Sequence, residues 1–294
     1  MKQIASLLVR SLPVTQLLLC SSVSALDFHV EPRLNTGAMY YEFEQQAAFS
    51  FTVPDPVNNP TGVNTRGASS KVSFSDVMPF VGGGATVFLD RFFVDAYAQA
   101  AFNGKDTDTL QQAEFFTNVF ENREITREWD RQEYSFSAGY AITDNIAVFA
   151  GYRRSETDFE DSTVIFDIGT QTSTPVDITV DYVQDGPFVG GNFQLPIEQG
   201  FLVGALAVNL GLAFMEGEGE QQIAGDGTFT FEGDTVGLTA GLAWRGSITD
   251  QLGYTLGVDG YRYDFDADNT EEGFEAADFS ETVIRGTVGL SYLF

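Results

Sequence analysis

TVIRGTVGLSYLF, residues 282–294, is the stretch that decides the fold. Counting back from the end by twos, Phe294, Tyr292, Leu290, Val288 and Ile284 make one apolar row. The alternate row holds Ser291, Gly289, Thr287 and Arg285, with Val283 and Leu293 as its large apolar members. Successive side chains of a β-strand point to opposite faces, so a period of two with one greasy and one polar row reads as a strand between two different surroundings.

The other end of the chain names the compartment. Lys2 and Arg10 precede an apolar run from Ser11 to Cys20, and Val23-Ser24-Ala25 offers small residues to a signal peptidase. The run is too short to span a bilayer, so residues 1–25 read as a cleaved signal peptide for the Sec pathway and residues 26–294 as a single domain. Leu19 stands where a lipidation motif wants a small residue, and Cys20 is the chain's one cysteine, so neither a lipid anchor nor a disulfide is expected. No later run approaches the roughly 18 apolar residues of a membrane helix, so any span must be built of strands.

Composition narrows the partners. The net charge is −27, and loss of Lys2 and Arg10 with the leader makes the remainder more acidic still. Such a surface repels phosphodiester backbones, which excludes nucleic acid. Thirty glycines and 14% aromatics suit a thin-walled twisted sheet with aromatic belts.

Spacing supplies the topology. Short turn signals fall at Leu89-Asp90-Arg91, Thr143-Asp144-Asn145, Pro196–Gly200 and Thr249-Asp250-Gln251, about 53 residues apart. Longer polar stretches, 46–70, 103–130, 161–175, 216–227 and 266–278, lie between them. Alternating short and long connections define an all-β, antiparallel up-and-down transmembrane β-barrel. The count is ten strands, near 28–44, 72–88, 92–102, 132–142, 146–158, 178–195, 201–214, 229–245, 253–265 and 280–294. Eight or twelve are the alternatives, since 162–178 has room for a hidden hairpin. Pro79-Phe80-Val81-Gly82-Gly83 recurs at 187–191, Ile142-Thr143-Asp144 at 248–250 and Gly151-Tyr152-Arg153 at 260–262, as a four-strand duplication would give.

A leader, this alternation and a closing strand carrying Tyr292 and Phe294 resemble the small Gram-negative outer-membrane β-barrels of OmpA or porin type over the whole chain. The resemblance implies a bacterial outer-membrane location with lipid and lipopolysaccharide as neighbours. It also implies that Tyr292 and Phe294 are the signal read by the barrel-assembly machinery. It carries no substrate motif.

Alternation then assigns faces. Val94, Ala96, Ala98 and Ala100, the row Tyr134–Tyr140, the row Leu206–Leu212 and the row Leu238–Trp244 are expected against lipid. Phe92, Tyr140, Trp244, Tyr254 and Tyr292 form the periplasmic girdle, and Tyr40, Phe102, Phe214 and Tyr263 the outer one. Arg33, Asp95, Arg153, Arg245, Asp259 and Arg285 are expected to line the lumen. Arg262 and Asp264 join them if a bulge follows Gly260. These charges permit two readings: an ion-paired, narrow or occluded interior, which is preferred, or a porin-like channel for small solutes or ions.

Two chemistries remain to weigh. Asp264, Asp266, Asp268, Glu272 and Glu275 repeat the spacing of a calcium loop, so Ca2+ is a candidate ligand. The flanks read as strands rather than helices, and Asn269 takes the usual glycine position, so a solvated acidic loop is the preferred account. Outer-membrane proteases, lipases and deacylases resemble one another in using a histidine near the outer rim. The single histidine here, His29, opens the first strand at the periplasmic end. No catalytic activity is therefore expected.

Overall fold

The computed structural model describes residues 28–54, 63–114, 120–167, 172–197, 204–223, 227–267 and 274–294. The leader, the third short turn and positions 268–273 lie outside the described residues. Ten strands follow one another: β1 Phe28–Pro54, β2 Val63–Leu89, β3 Phe92–Glu114, β4 Phe120–Thr143, β5 Ile146–Asp167, β6 Thr172–Ile197, β7 Gly204–Ile223, β8 Gly227–Ser247, β9 Leu252–Ala267 and β10 Phe274–Tyr292. Each pairs antiparallel with its neighbours, and β10 returns to β1 to close the barrel. The count of ten stands, and the hidden hairpin does not: β5 and β6 run paired to Asp167 and Thr172.

The closing strand lies where its alternation puts it. Arg33 faces Ser291 and the ladder runs to Phe49 opposite Phe274. Val288, Leu290, Tyr292 and Phe294 are exposed on the outside, while Val283 is fully buried inside. Beyond the ladder, Phe294 donates its backbone N–H to Val30 and Leu293 donates to Gln251. Closure leaves no free edge among the described strands, which a bilayer demands because hydrocarbon offers an unpaired N–H no partner.

The five stretches read as long loops are mostly strand. Pro54 pairs with Val63, Ala113 with Phe120 and Ile223 with Gly227, so the hairpins continue far past the 9–11 or so residues that cross a membrane. Their outward residues are polar because they meet water, which hid the alternation. Cross-strand pairs hold them: Lys105 Nζ lies 2.5 Å from Glu128, and the Thr107 and Thr126 hydroxyls are 3.0 Å apart.

One irregularity is built in. Ala101 faces Arg131 and Gly104 faces Trp129, so β3 carries an extra residue, with Asn103 at φ 64°. Gly104 gives the Trp129 ring its place, since a Cβ there would fall inside that ring's contact distance. Backbone pairing between β2 and β3 lapses from Lys71 to Phe80. Carboxylates bridge the gap: Asp108 accepts from the Ser73 N–H at 2.9 Å, Asp106 from Ser75 at 2.8 Å and Asp76 from Lys105 at 3.0 Å. Pro79 stands in this gap and Pro187 in the corresponding gap between β6 and β7, each one residue before an inward phenylalanine, Phe80 or Phe188. The first recurrent segment thus has the same structural role twice, because proline has no N–H for the ladder.

The β1–β10 seam is closely packed at Gly37. A Cβ on Gly37 would collide with the Gly286 carbonyl, whereas one on Gly286 would meet nothing within 4 Å. Gly37→Val is expected to cost about 1–3 kcal/mol by overpacking. Gly286→Ala should leave stability near the parent's. Heat-modifiable gel mobility of the refolded barrel, followed with temperature, compares the two.

Candidate functional site in the barrel interior

Inward positions build three storeys. At the periplasmic end, the His29 ring stacks on Phe88 with centroids 4.8 Å apart. Above it Arg33 grips Asp95 with two hydrogen bonds, 2.6 and 2.9 Å, and Thr86 donates to the same carboxylate at 2.6 Å. Arg245 shares the inward parity of Thr239 on β8, opposite Ala205 and Thr255 in the ladders. The walls here carry small or polar residues such as Ser135, Ser137, Asn209, Thr239 and Thr287.

The middle storey is a charged node. Glu133 of β4 accepts from Arg131 Nε at 2.9 Å, Arg153 Nη2 at 2.7 Å, Arg285 Nη1 at 3.2 Å and Gln99 Nε2 at 2.7 Å, and also from the Tyr261 hydroxyl. Arg285 bonds Asp259 through Nε at 2.8 Å, and the Arg153 guanidinium lies 4.2 Å from the centre of the Tyr261 ring. Arg131 reaches on to Thr157 at 2.7 Å and Glu281 at 3.0 Å, and Glu281 accepts from the Tyr41 hydroxyl at 2.6 Å. Arg131, Arg153 and Arg285 are balanced by Glu133, Asp259 and Glu281. Buried charges persist only when paired in this way.

The outer storey is aromatic. Phe43, Phe159, Tyr182, Phe265 and Phe279 are buried and in ring contact, with Phe231 packed beside them. Arg127 enters this layer paired to Asp161 at 2.5 and 2.6 Å, with its guanidinium 4.4 Å from Phe74 and 4.6 Å from Phe159. Gly237 makes room for Tyr263, whose ring occupies the position a Cβ would take.

Arg33, Asp95, Arg153, Arg245, Asp259 and Arg285 all face inward as expected, and the node joins Arg153, Asp259 and Arg285. Arg262 does not join them. No bulge interrupts β9, which pairs continuously with β8 and β10, so Tyr261, Tyr263 and Phe265 point in and Arg262 and Asp264 point out. Tyr263 is correspondingly no part of the outer girdle. The outward pair makes its own exposed salt bridge at 3.1 Å.

The calcium-loop spacing also changes meaning. Asp264 and Asp266 sit in the β9 ladder opposite Ser280 and Asp278, and Glu275 is in β10. Strand therefore replaces both ends of a compact loop; Asp268 and Glu272 lie outside the described residues. Among the described residues no three His, Cys, Asp or Glu side chains are grouped to hold a metal.

Arg131, Glu133, Glu281, Arg127 and Asp161 were missed in the sequence. Extending the inward parity of Ser135 and Ser137 backwards yields Glu133, Arg131 and Arg127. Arg127, Arg131 and Asp161 lie beyond the strands expected at 132–142 and 146–158, whereas Glu133 and Glu281 lie within expected strands but have partners on other strands that no local pattern marks.

The outer surface complements this core. Tyr134, Phe136, Leu210, Leu238, Leu242 and Val258 are exposed on an apolar band. The Phe92 and Tyr140 rings meet at a tilt with centroids 4.9 Å apart at its periplasmic edge, and Trp244 Nε1 donates to the Tyr254 hydroxyl at 3.1 Å. Such a band with an aromatic border fits lipid. The barrel is similar to the outer-membrane protease OmpT of Escherichia coli, with TM-score 0.64 and 11% identity over 93% of this chain and 100% of that one. The chain has the outer-membrane β-barrel fold. The translocator domain of autotransporter NalP from Neisseria meningitidis matches more distantly, at TM-score 0.35 and 13% identity over 87% and 88% of the two chains. The toluene transporter TbuX of Ralstonia pickettii gives 0.35 and 9% over 88% and 90%. No family profile and no curated protein sequence matches the chain.

Glu133 is the group on which the node depends. Glu133→Ala leaves three arginines facing one another and is expected to destabilise the barrel by about 3–5 kcal/mol. Asp264→Ala, which removes one partner of an exposed pair, should cost about 1 kcal/mol or less. Urea unfolding in detergent or lipid, followed by tryptophan fluorescence, measures the contrast.

Proposed function

We propose that this integral outer-membrane barrel serves a structural or surface-interaction role, with a narrow or occluded lumen. One observation carries the reading: Met39, Tyr41, Phe74, Met78, Phe159 and Phe265 all face inward and are at most 2% exposed. An aqueous pore would leave such side chains wet. Solute passage therefore stops at the charged node and the aromatic layer above it. The solvent-accessible Arg245 and the small residues of the periplasmic half favour a porin-like second reading, in which that half is the vestibule of a channel.

The proposal assigns no catalytic step. OmpT is a protease by its name; in this chain the single histidine, His29, stacks on Phe88 at the end away from the aromatic storey, which supports a reading without a catalytic step. Export through the Sec pathway and recognition of Tyr292 and Phe294 by the assembly machinery belong to the same proposal. So does an outer partner. Above the apolar band, Asp185, Glu216, Asp234, Asp266 and Asp278 are successive cross-strand neighbours, as are Asp130, Asp158, Asp181 and Glu220. Like charges placed directly opposite repel. The outward cations Lys105, Arg154 and Arg262 are each already paired with a carboxylate. Lipopolysaccharide phosphates would meet this wall through a diffuse layer of divalent cations.

Planar-bilayer recording tests the lumen: no discrete single-channel steps are expected, and reproducible steps would establish the porin-like reading instead. In that event Arg245→Glu, outside the node, would shift ion selectivity. For the outer wall, magnesium should raise the unfolding temperature in lipopolysaccharide bilayers and EDTA should reverse it. No shift would remove the cation layer from the proposal.

A further inference from the structure

Between β2 and β3 part of the wall is held by side chains rather than by backbone. The lapse from Lys71 to Phe80 is the longest interruption of pairing among the described strands. Three aspartates fill it on one plan. Asp108 accepts from the Ser73 N–H across the seam at 2.9 Å and from the Thr109 N–H on its own strand at 2.7 Å. Asp106 does the same for Ser75 at 2.8 Å and Thr107 at 2.7 Å. Asp76 does so from the β2 side, for Lys105 at 3.0 Å and Val77 at 2.7 Å. Each carboxylate uses one oxygen across the seam and the other along its own strand. Both oxygens are therefore acceptors, the state of an ionised carboxylate.

We infer that this seam is an acid-released opening in the wall. Ionised Asp76, Asp106 and Asp108 keep it shut, and their protonation parts β2 from β3 while the other strand pairs stay joined. The seam starts where the wall leaves the membrane: Val77 and Phe102 are exposed outward, with Ser75, Ser73, Lys105, Thr107 and Thr109 above them. Behind it lie Phe74, Met78 and Trp129, each at most 3% exposed, with Trp129 Nε1 3.1 Å from the Met78 sulfur. Opening would give outside water a path to the aromatic storey. Neighbouring charges do not take over the closure. From β1, Tyr41, Glu42 and Glu44 stand beside Asp76, Ser75 and Ser73. From β4, Glu124, Arg127 and Glu128 stand beside Thr109, Asp106 and Lys105, and Asp130 accepts from the Asn103 N–H at 2.9 Å. Lys71, Lys105 and Arg127 are paired with Glu44, Glu128 and Asp161, and the Tyr41 hydroxyl with Glu281. A backbone ladder has nothing to titrate in mild acid. Bonds made to an ionised carboxylate hold at neutral pH and are lost as pH falls through the carboxylate range.

Hydrogen exchange of the refolded full-length barrel tests this in peptides covering 72–79 and 102–109. The triple variant Asp76→Asn, Asp106→Asn and Asp108→Asn replaces one acceptor oxygen of each bridge with an amide nitrogen, which cannot accept. At neutral pH those peptides should exchange about tenfold or more faster than the parent's, the scale of a lost bond to a charged group, while β1–β10 peptides keep the parent's rate. Between roughly pH 7 and pH 4 the parent's protection, corrected for intrinsic exchange, should fall first in the same peptides, and the variant's should no longer change there. Equal protection of variant and parent at neutral pH, or acid loss spread evenly over every strand pair, overturns the inference. Should the triple variant fail to refold, Asp106→Asn alone is judged in the same peptides by the same criterion. The readout does not depend on conductance, so a conducting barrel would sink the occluded-lumen reading and leave this one standing.

Discussion

Three arginines from three strands converge on the Glu133 carboxylate, and much of the interior is arranged around that meeting. Arg131 comes with Glu133 from β4, Arg153 from β5 and Arg285 from β10, while Gln99 and Tyr261 add β3 and β9. No one of these charges can be removed alone, because its partners would remain buried and uncompensated. The node thereby joins strands far apart in sequence: Arg285 and Glu133 are separated by 152 residues. Its specificity is geometric, since guanidinium groups demand planar, directed acceptors. Burial of these groups raises the cost of breaking any of the pairs.

The outside answers to different solvents at different heights. Where strands cross hydrocarbon, the outward row is Leu, Val, Phe and Ala; one step above Tyr152, Phe214 and Val236 it becomes Arg154, Glu216 and Asp234. The backbone ladder does not register the change, because hydrogen bonding between strands is satisfied on either side of it. The same strands therefore serve first as a membrane wall and then as an acidic collar. Similarity to OmpT extends to this tall barrel architecture and stops there, since a shared fold carries no chemistry with it.

The recurrent motifs show how far sequence pattern reaches. The segments beginning at Pro79 and Pro187 do the same thing in β2 and β6. The Gly-Tyr-Arg motif does not: Tyr152 faces out and Arg153 in, whereas Tyr261 faces in and Arg262 out. The spacing held the reason. Ile142 and Ile248 are 106 positions apart and Gly151 and Gly260 are 109. An odd difference reverses the face of every following residue in a strand. The bulge expected after Gly260 is absent, and Tyr261, Tyr263 and Phe265 of β9 are core.

Turn spacing and alternation in the sequence pointed to an up-and-down barrel of ten strands, with eight or twelve left open, and to the lipid face and the inward set Arg33, Asp95, Arg153, Arg245, Asp259 and Arg285. These follow from a strand's period of two and from a bilayer's demand that every backbone group be paired, both local rules. Only the tertiary structure decided how far the strands rise above the membrane, which way Arg262 points and which charges meet. Strand height is invisible where both faces leave the lipid, and parity is lost across a turn of unknown length. Pairing among Glu133, Arg131, Arg153, Arg285 and Glu281 depends on barrel tilt and circumference, which bring distant strands to one level, and no local pattern contains that distance.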